Sequence, residues 1–269
     1  MSGVTGARFS RLSGGARIGA SYFERKGALA AGAHGAPRGL VDALSDLATP
    51  DVARAIDPRV AVFFLDTGSL ELHVRPRWSL PFLPGAILFR LVATLLGQLR
   101  LPLRPARVLT RLLALDGARD GRDGARGVLR VYDDGSPMQV VAYAVSPVEG
   151  GAPPAHMSVA FPVPFGVLQG FLALSLLDGG GAELASAPSR GGGGVWLSLG
   201  RRSFRSPFAE VMRLWPAGSP AVPPDLREAG DDGATIVGTH EQTLFGVRFV
   251  RYRYRFRPIA AATARPLDP

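Results

Sequence analysis

Residues Val247–Arg257 read VRFVRYRYRFR, and from Val250 onward apolar and charged side chains alternate strictly. Successive strand side chains point to opposite faces, so Val250, Tyr252, Tyr254 and Phe256 line one face and Arg251, Arg253, Arg255 and Arg257 the other. A helix, with its period of 3.6, cannot gather that pattern onto one stripe. The chain must therefore build a sheet with one greasy side and one charged side.

Further segments read the same way. Leu70, Leu72 and Val74 alternate with Glu71, His73 and Arg75 in a half-buried strand that ends at Pro76. Val128–Tyr132 and Met138–Val145 flank Asp133-Asp134-Gly135-Ser136, a hairpin signal, and Gly246 sits where the last hairpin must turn. Strands are also expected at His156–Pro162, Leu168–Leu177, Ala182–Ala187, Val195–Leu199, Val211–Trp215 and Thr235–Leu244, with Pro216–Gly233 as a surface excursion. Consecutive strands pair antiparallel. The expected fold is mainly β (α+β), an antiparallel curved sheet or barrel of about eight to ten strands preceded and covered by a few helices.

Helices are expected within residues 37–66 and 84–115. Thr49-Pro50 and Asp57-Pro58 each place a capping residue before a proline suited to a first helical turn. The Val60–Leu65 run fits a helix or a strand. From Ile87, the residues Leu88, Leu91, Val92, Leu95, Leu96 and Leu99 recur at helical spacing around Arg90, Thr94 and Gln98. Such an amphipathic helix either docks on the sheet or lies on a membrane surface. Pro81, Pro84 and Arg90 leave too short an uncharged run for the roughly 20 residues of a spanning helix. Residues 1–36, rich in Gly, Ala, Ser and Arg, read as a disordered basic segment, residues 37–259 as one β-rich domain and residues 260–269 as a disordered tail.

The formal net charge is +9, yet Lys26 is the one lysine among 31 basic residues and asparagine is absent. That skew, with abundant Ala, Gly and Pro, fits a GC-rich genome, so basicity is weak evidence for a nucleic-acid partner, which is not expected. With no cysteine, disulfides, thiolate metal sites and a Cys nucleophile are excluded. No apolar stretch before a small-residue cleavage site stands near residue 1, and a cytoplasmic protein, or one peripheral at a membrane, is expected.

Four histidines occur, His34, His73, His156 and His240. His240-Glu241 begins like H-E-x-x-H, but Leu244 holds the second histidine position, which rules out that zinc motif. In a strand His240 and Glu241 face apart, leaving His240 a structural, a ligand-contacting or a catalytic residue. Asp116–Gly127, DGARDGRDGARG, has the aspartates of a calcium loop without its spacing. Nucleophile-elbow, P-loop and dinucleotide patterns are absent, so no cofactor is expected and an enzyme is the lesser reading. Two groups remain as candidate ligand-binding residues. Arg75, Arg77 and Trp78 stand at a strand end beside the greasy segment, suited to an anionic head with an apolar tail. His240, Tyr252 and Tyr254 share the last hairpin.

Several stretches resemble the YndJ-like family of bacterial proteins of unknown function: LELHVRPRW followed by Pro81-Phe82 and QLRLP, DGRDGARGVLRVY, HMSVAFPVPFGVLQGFLAL, and THEQTLFGVRFVRYRY. They cover most of residues 60–257. The resemblance implies no activity, cofactor or catalytic residue; it implies that Trp78, Pro162, Pro164, His240 and Gly246 belong to a shared structural frame. The leading expectation is non-enzymatic binding of an apolar or amphipathic anionic, lipid-like ligand between the sheet and the Ile87–Leu99 helix. The rivals are a membrane-surface or protein-interaction domain, using the greasy helix and basic strand on an anionic membrane, and an enzyme centred on His240.

Overall fold

The computed structural model describes residues 9–15, 17–31, 36–95, 100–148, 154–163, 165–186, 193–200, 202–227 and 233–259. In chain order its elements are α1 Tyr22–Arg25, α2 Pro50–Ala55, α3 Pro58–Leu65, β1 Leu70–Trp78, α4 Leu83–Leu95, β2 Ala106–Ala114, α5 Gly117–Asp120 and β3 Arg126–Tyr132. There follow β4 Pro137–Ser146, β5 His156–Val163, β6 Gly166–Leu177, β7 Gly181–Ala185, β8 Gly194–Leu199, β9 Arg202–Arg205, β10 Phe208–Pro216, β11 Ile236–Leu244 and β12 Val247–Pro258.

All pairings are antiparallel, and the sheet runs β5-β4-β3-β2-β1-β12-β11-β10-β7-β6 before β6 pairs back with β5. Ten strands thus close a barrel. The N-terminal half of β6 also pairs with β8, which continues the line of β7 along that edge and carries β9 as its hairpin partner. The alternation of β12 is realised: Val250, Tyr252, Tyr254 and Phe256 point into the barrel. They meet Leu72, Val74, Val108, Val128, Tyr143, Val159, Leu184 and Met212 from the other strands, which fill the interior.

One end of the barrel is plugged by α2 and α3. Asp57 caps α3 by accepting from the Arg59 backbone N–H, and Phe63 packs edge-on against Phe256. Val60–Leu65, ambiguous by period, is helical because it spans this opening. Helices therefore cover one end and not the whole sheet.

Two expectations are corrected. Ala106–Ala114, placed within a helical region over residues 84–115, is the strand β2. Its Leu, Ala and Arg favour a helix, but Pro102 and Pro105 interrupt one, and the edges of β1 and β3 both need a partner. The described residues of the 1–36 segment, expected to be disordered, pack on the outer wall of β2–β6 as a strap. Leu12, Ile18, Tyr22, Phe23 and Ala28 are buried against Leu129, Val140, Ala142, Ala160 and Val167. Gly127 makes room for Phe23, since a Cβ there would lie 2.8 Å from its ring. The strap has no sustained periodicity because it is an extended cover, and each buried large side chain contributes roughly 1.5–3 kcal/mol.

A buried polar clasp holds the strap in place. Arg122 donates to both carboxylate oxygens of Asp120, at 2.6 and 3.0 Å, and to Ser158 Oγ at 2.9 Å. Ser10 Oγ donates to Asp120 at 2.8 Å, and its backbone N–H donates to Gln169 at 2.8 Å. Asp120 and Arg122 are buried. The aspartates that suggested a calcium loop thus include a structural ion-pair partner.

Candidate functional site

Inside the barrel, β11 supplies His240, β12 supplies Tyr252 and Tyr254, and β10 supplies Glu210. His240 Nε2 lies 2.9 Å from Glu210 Oε2, and His240 Nδ1 lies 3.1 Å from the Tyr254 hydroxyl. Glu210 fits because Gly170 faces it; a Cβ on Gly170 would come within 2.9 Å of Oε1. On β3, Arg130 donates to Gln139 Oε1 at 3.1 Å. Burial pushes the Tyr143 and Tyr254 hydroxyls up from the ordinary phenol range, opposed by the nearby Arg130 charge. The cavity beside these groups, touched by Arg130, Gln139, Tyr143, Glu210 and His240, is about 20 Å³. It has room for one water and none for a substrate. The structure brings His240, Tyr252 and Tyr254 together as a buried polar knot in the core.

Arg75, Arg77 and Trp78 are not brought together. Strand alternation sends Arg75 and Arg77 to the exposed outer face, while Trp78 turns inward at the barrel rim. Its indole N–H donates to the Pro102 carbonyl at 3.1 Å, and its ring packs against Phe249 and Tyr252. Beside Arg75 and Arg77 runs the arginine row of β12, in register as Arg75–Arg253 and Arg77–Arg251. Asp225, from the proline-rich excursion, reaches Arg251 at 3.0 Å and Arg253 at 3.2 Å, and Glu241 reaches Arg251 at 3.2 Å. These outer-face charges are held by local ion pairs.

The feature that residue patterns did not expose is the barrel end opposite the helical plug. Antiparallel order puts the C-terminal ends of β1, β3, β5 and β11 there, with the starts of β2, β4, β6, β10 and β12. The β8–β9 turn lies there too, because Leu199 pairs with Gly166. This mouth carries Leu80, Ile87, Leu88, Leu91, Phe165, Leu199, Phe204, Phe245 and Val247, all exposed. Phe165, in the β5–β6 turn, is 88% exposed, and Phe245, in the β11–β12 turn, is 79% exposed. Among the described residues, these two phenylalanines are the non-glycine positions with positive φ, 64° and 50°. Phe245-Gly246 forms a two-residue turn with both φ positive, a place where Asn-Gly is favoured and Phe is strained.

Helix α4 adds to this surface in an unexpected orientation. Ala86 is buried and Arg90 turns inward to donate to the Leu101 carbonyl at 2.9 Å, so Ile87, Leu88 and Leu91 face solvent. The expected docking on the sheet is therefore corrected for Ile87, Leu88 and Leu91, the described side chains of that stripe, and the rim beside them carries the packed Trp78, Phe82, Phe208 and Phe249 rings. The side chains of Val92 and Leu95, and residues Leu96 and Leu99, lie outside the described part. Around the mouth stand exposed Arg77, Arg104, Arg202 and Arg248. Next to α4 opens a cleft of about 670 Å³ lined by Arg90, Arg100, Arg104, Arg107, Tyr132 and the turn residues Asp133 and Asp134. A phenylalanine in the turn before Gly246 was a readable signal of the mouth.

No protein-family model matches the chain. No solved structure matches it. Among curated proteins it is similar to YndJ of Bacillus subtilis (strain 168), described as an uncharacterized membrane protein, with 23% identity over 252 residues. The match covers 91% of this chain and 42% of that relative, so the chain spans less than half of the relative's length. The similarity bears out the resemblance to a YndJ-like family of unknown function.

Proposed function

From a YndJ-like chain of this architecture, we propose a peripheral module that docks its barrel mouth on an anionic membrane. The observation that carries the reading is the pair of exposed phenylalanines, Phe165 and Phe245, held in strained turns at the same end as the outward apolar face of α4. A stability-driven sequence would place glycine or asparagine there. The exposed arginines around the mouth supply the complementary charge for anionic headgroups.

The rest of the molecule is consistent with docking from one side. Among the described residues no helix is long and apolar enough to cross a membrane. The wall carries Arg75, Arg77, Arg213, Arg251 and Arg253 on its outer positions, unlike the apolar band of a lipid-facing barrel. That YndJ is described as a membrane protein is in keeping with this reading. A ligand beside α4 has the arginine cleft as its space, since side chains fill the barrel interior.

Two inserted phenylalanines at roughly 1.5–3 kcal/mol each, with about 1 kcal/mol for each of the four mouth arginines, give reversible attachment in the micromolar to submicromolar range. Vesicle co-sedimentation tests the proposal. The protein pellets with anionic vesicles at low salt, less at high salt, and is released by Phe165→Ser/Phe245→Ser. Absence of pelleting at low salt overturns it.

A further inference from the structure

The cleft beside α4 has a chemistry of its own. Its four arginines come from three places in the chain: Arg90 from α4, Arg100 and Arg104 from the connecting loop, and Arg107 from the start of β2. The loop is anchored from several sides. Tyr132 donates its hydroxyl to the Arg100 carbonyl at 2.6 Å, Arg90 donates to the Leu101 carbonyl, and the Trp78 indole holds the Pro102 carbonyl. Arg107 is steadied by Glu71 at 2.5 Å. Arg104 is exposed and has no ion-pair partner among the described residues.

The opposing carboxylates do not neutralise this cluster. Asp134 approaches Arg100 at 3.8 Å and Asp133 approaches Arg107 at 4.0 Å, both at 65% side-chain exposure. Such long, solvated pairs are weak. With Arg107 offset by Glu71, the three guanidiniums of Arg90, Arg100 and Arg104 against two rim aspartates leave an excess of positive charge in a cleft whose volume matches ligand sites of roughly 300–1,000 Å³.

We infer that this cleft binds a phosphomonoester dianion, and that it selects lipids bearing one from among anionic lipids of equal charge. Guanidinium forks pair bidentately with oxyanions, and several converging forks suit the three terminal oxygens of a phosphomonoester better than a carboxylate, which one arginine satisfies. The outward apolar face of α4 lies next to the cleft, where the acyl chains of a bound lipid would lead away. The lipid source rests on the docking proposal; the phosphate chemistry does not.

The experiment uses the whole chain and three probes: vesicles with phosphatidate, vesicles with phosphatidylserine matched in surface charge, and soluble glycerol 3-phosphate. The expected result is binding to phosphatidate vesicles about tenfold tighter than to phosphatidylserine vesicles, a preference that Arg100→Gln/Arg104→Gln abolishes with circular dichroism unchanged, the phosphatidylserine binding being weakened by the lost rim charge but still salt-sensitive. Equal binding to both vesicle types overturns the inference. If vesicles are not bound but glycerol 3-phosphate is, and the double variant loses it, the docking proposal fails and the cleft stands as a site for a free phosphate ester. Binding to none of the probes removes both.

Discussion

Two surfaces of this barrel are apolar, and the chain treats them oppositely. The outer wall of β2–β6 is covered by the protein's own strap, residue by residue, with Gly127 left bare of a Cβ so that Phe23 can seat. The mouth keeps a comparable set of Leu and Phe side chains exposed, two of them on strained turns. Apolar surface that serves folding is buried within the molecule; the mouth has the character of surface kept for a partner.

The sharpest way to break the comparison is to truncate one phenylalanine on each surface. Phe23→Ala should cost about 3–5 kcal/mol in denaturant unfolding, as a buried ring lost from a packed wall. Charge in the clasp should matter to a similar extent. Asp120→Asn leaves Arg122 buried without its ion partner, and a loss of about 3–5 kcal/mol is expected. Both changes should leave the affinity of the surviving folded protein for vesicles unaltered.

The polar knot inside the barrel ranks next. His240→Leu removes the partner of both Glu210 and Tyr254, and about 1–3 kcal/mol of stability should go with it, again without an effect on vesicle binding. A loss of binding at full stability would move function from the mouth to the interior.

At the mouth the signs reverse. Phe245→Gly relieves a left-handed backbone worth roughly 1–2 kcal/mol, partly offset by the entropy of glycine, so stability should rise by less than about 1 kcal/mol. Vesicle affinity should fall by about tenfold or more in the same variant. Stability and binding that fall together would make the mouth another piece of core.

The smallest effect at neutral pH, and the clearest at high pH, concerns the tyrosines. Burial raises the hydroxyl pKa of Tyr22, Tyr132, Tyr143, Tyr252 and Tyr254, with Tyr132 pushed up to about 12. The unfolded chain releases these protons first, near pH 10, so stability is complete below that pH and declines as pH rises toward the folded-state values. Absorbance at 295 nm should show little phenolate until the barrel unfolds, and then a cooperative rise. A smooth titration centred near pH 10 would contradict the burial of these rings.

Local pattern carried a definite part of this architecture. The alternation of Val250–Arg257, the Gly135 and Gly246 turns and the proline starts of α2 and α3 depend on neighbours two to four residues apart, and each is realised. What needed the tertiary structure are choices made by distant partners. Ala106–Ala114 is a strand because two strand edges await it, and the strap is ordered because the wall beneath it exists. His240 finds Glu210 thirty residues away, and Arg122 finds Ser158 across the sheet. The period of α4 announced an amphipathic helix, but the outward turn of Ile87, Leu88 and Leu91 came with Arg90 reaching Leu101 and with an aromatic rim already packed on itself. Periodicity specifies that a face is apolar; only the assembled neighbours determine whether that face is covered.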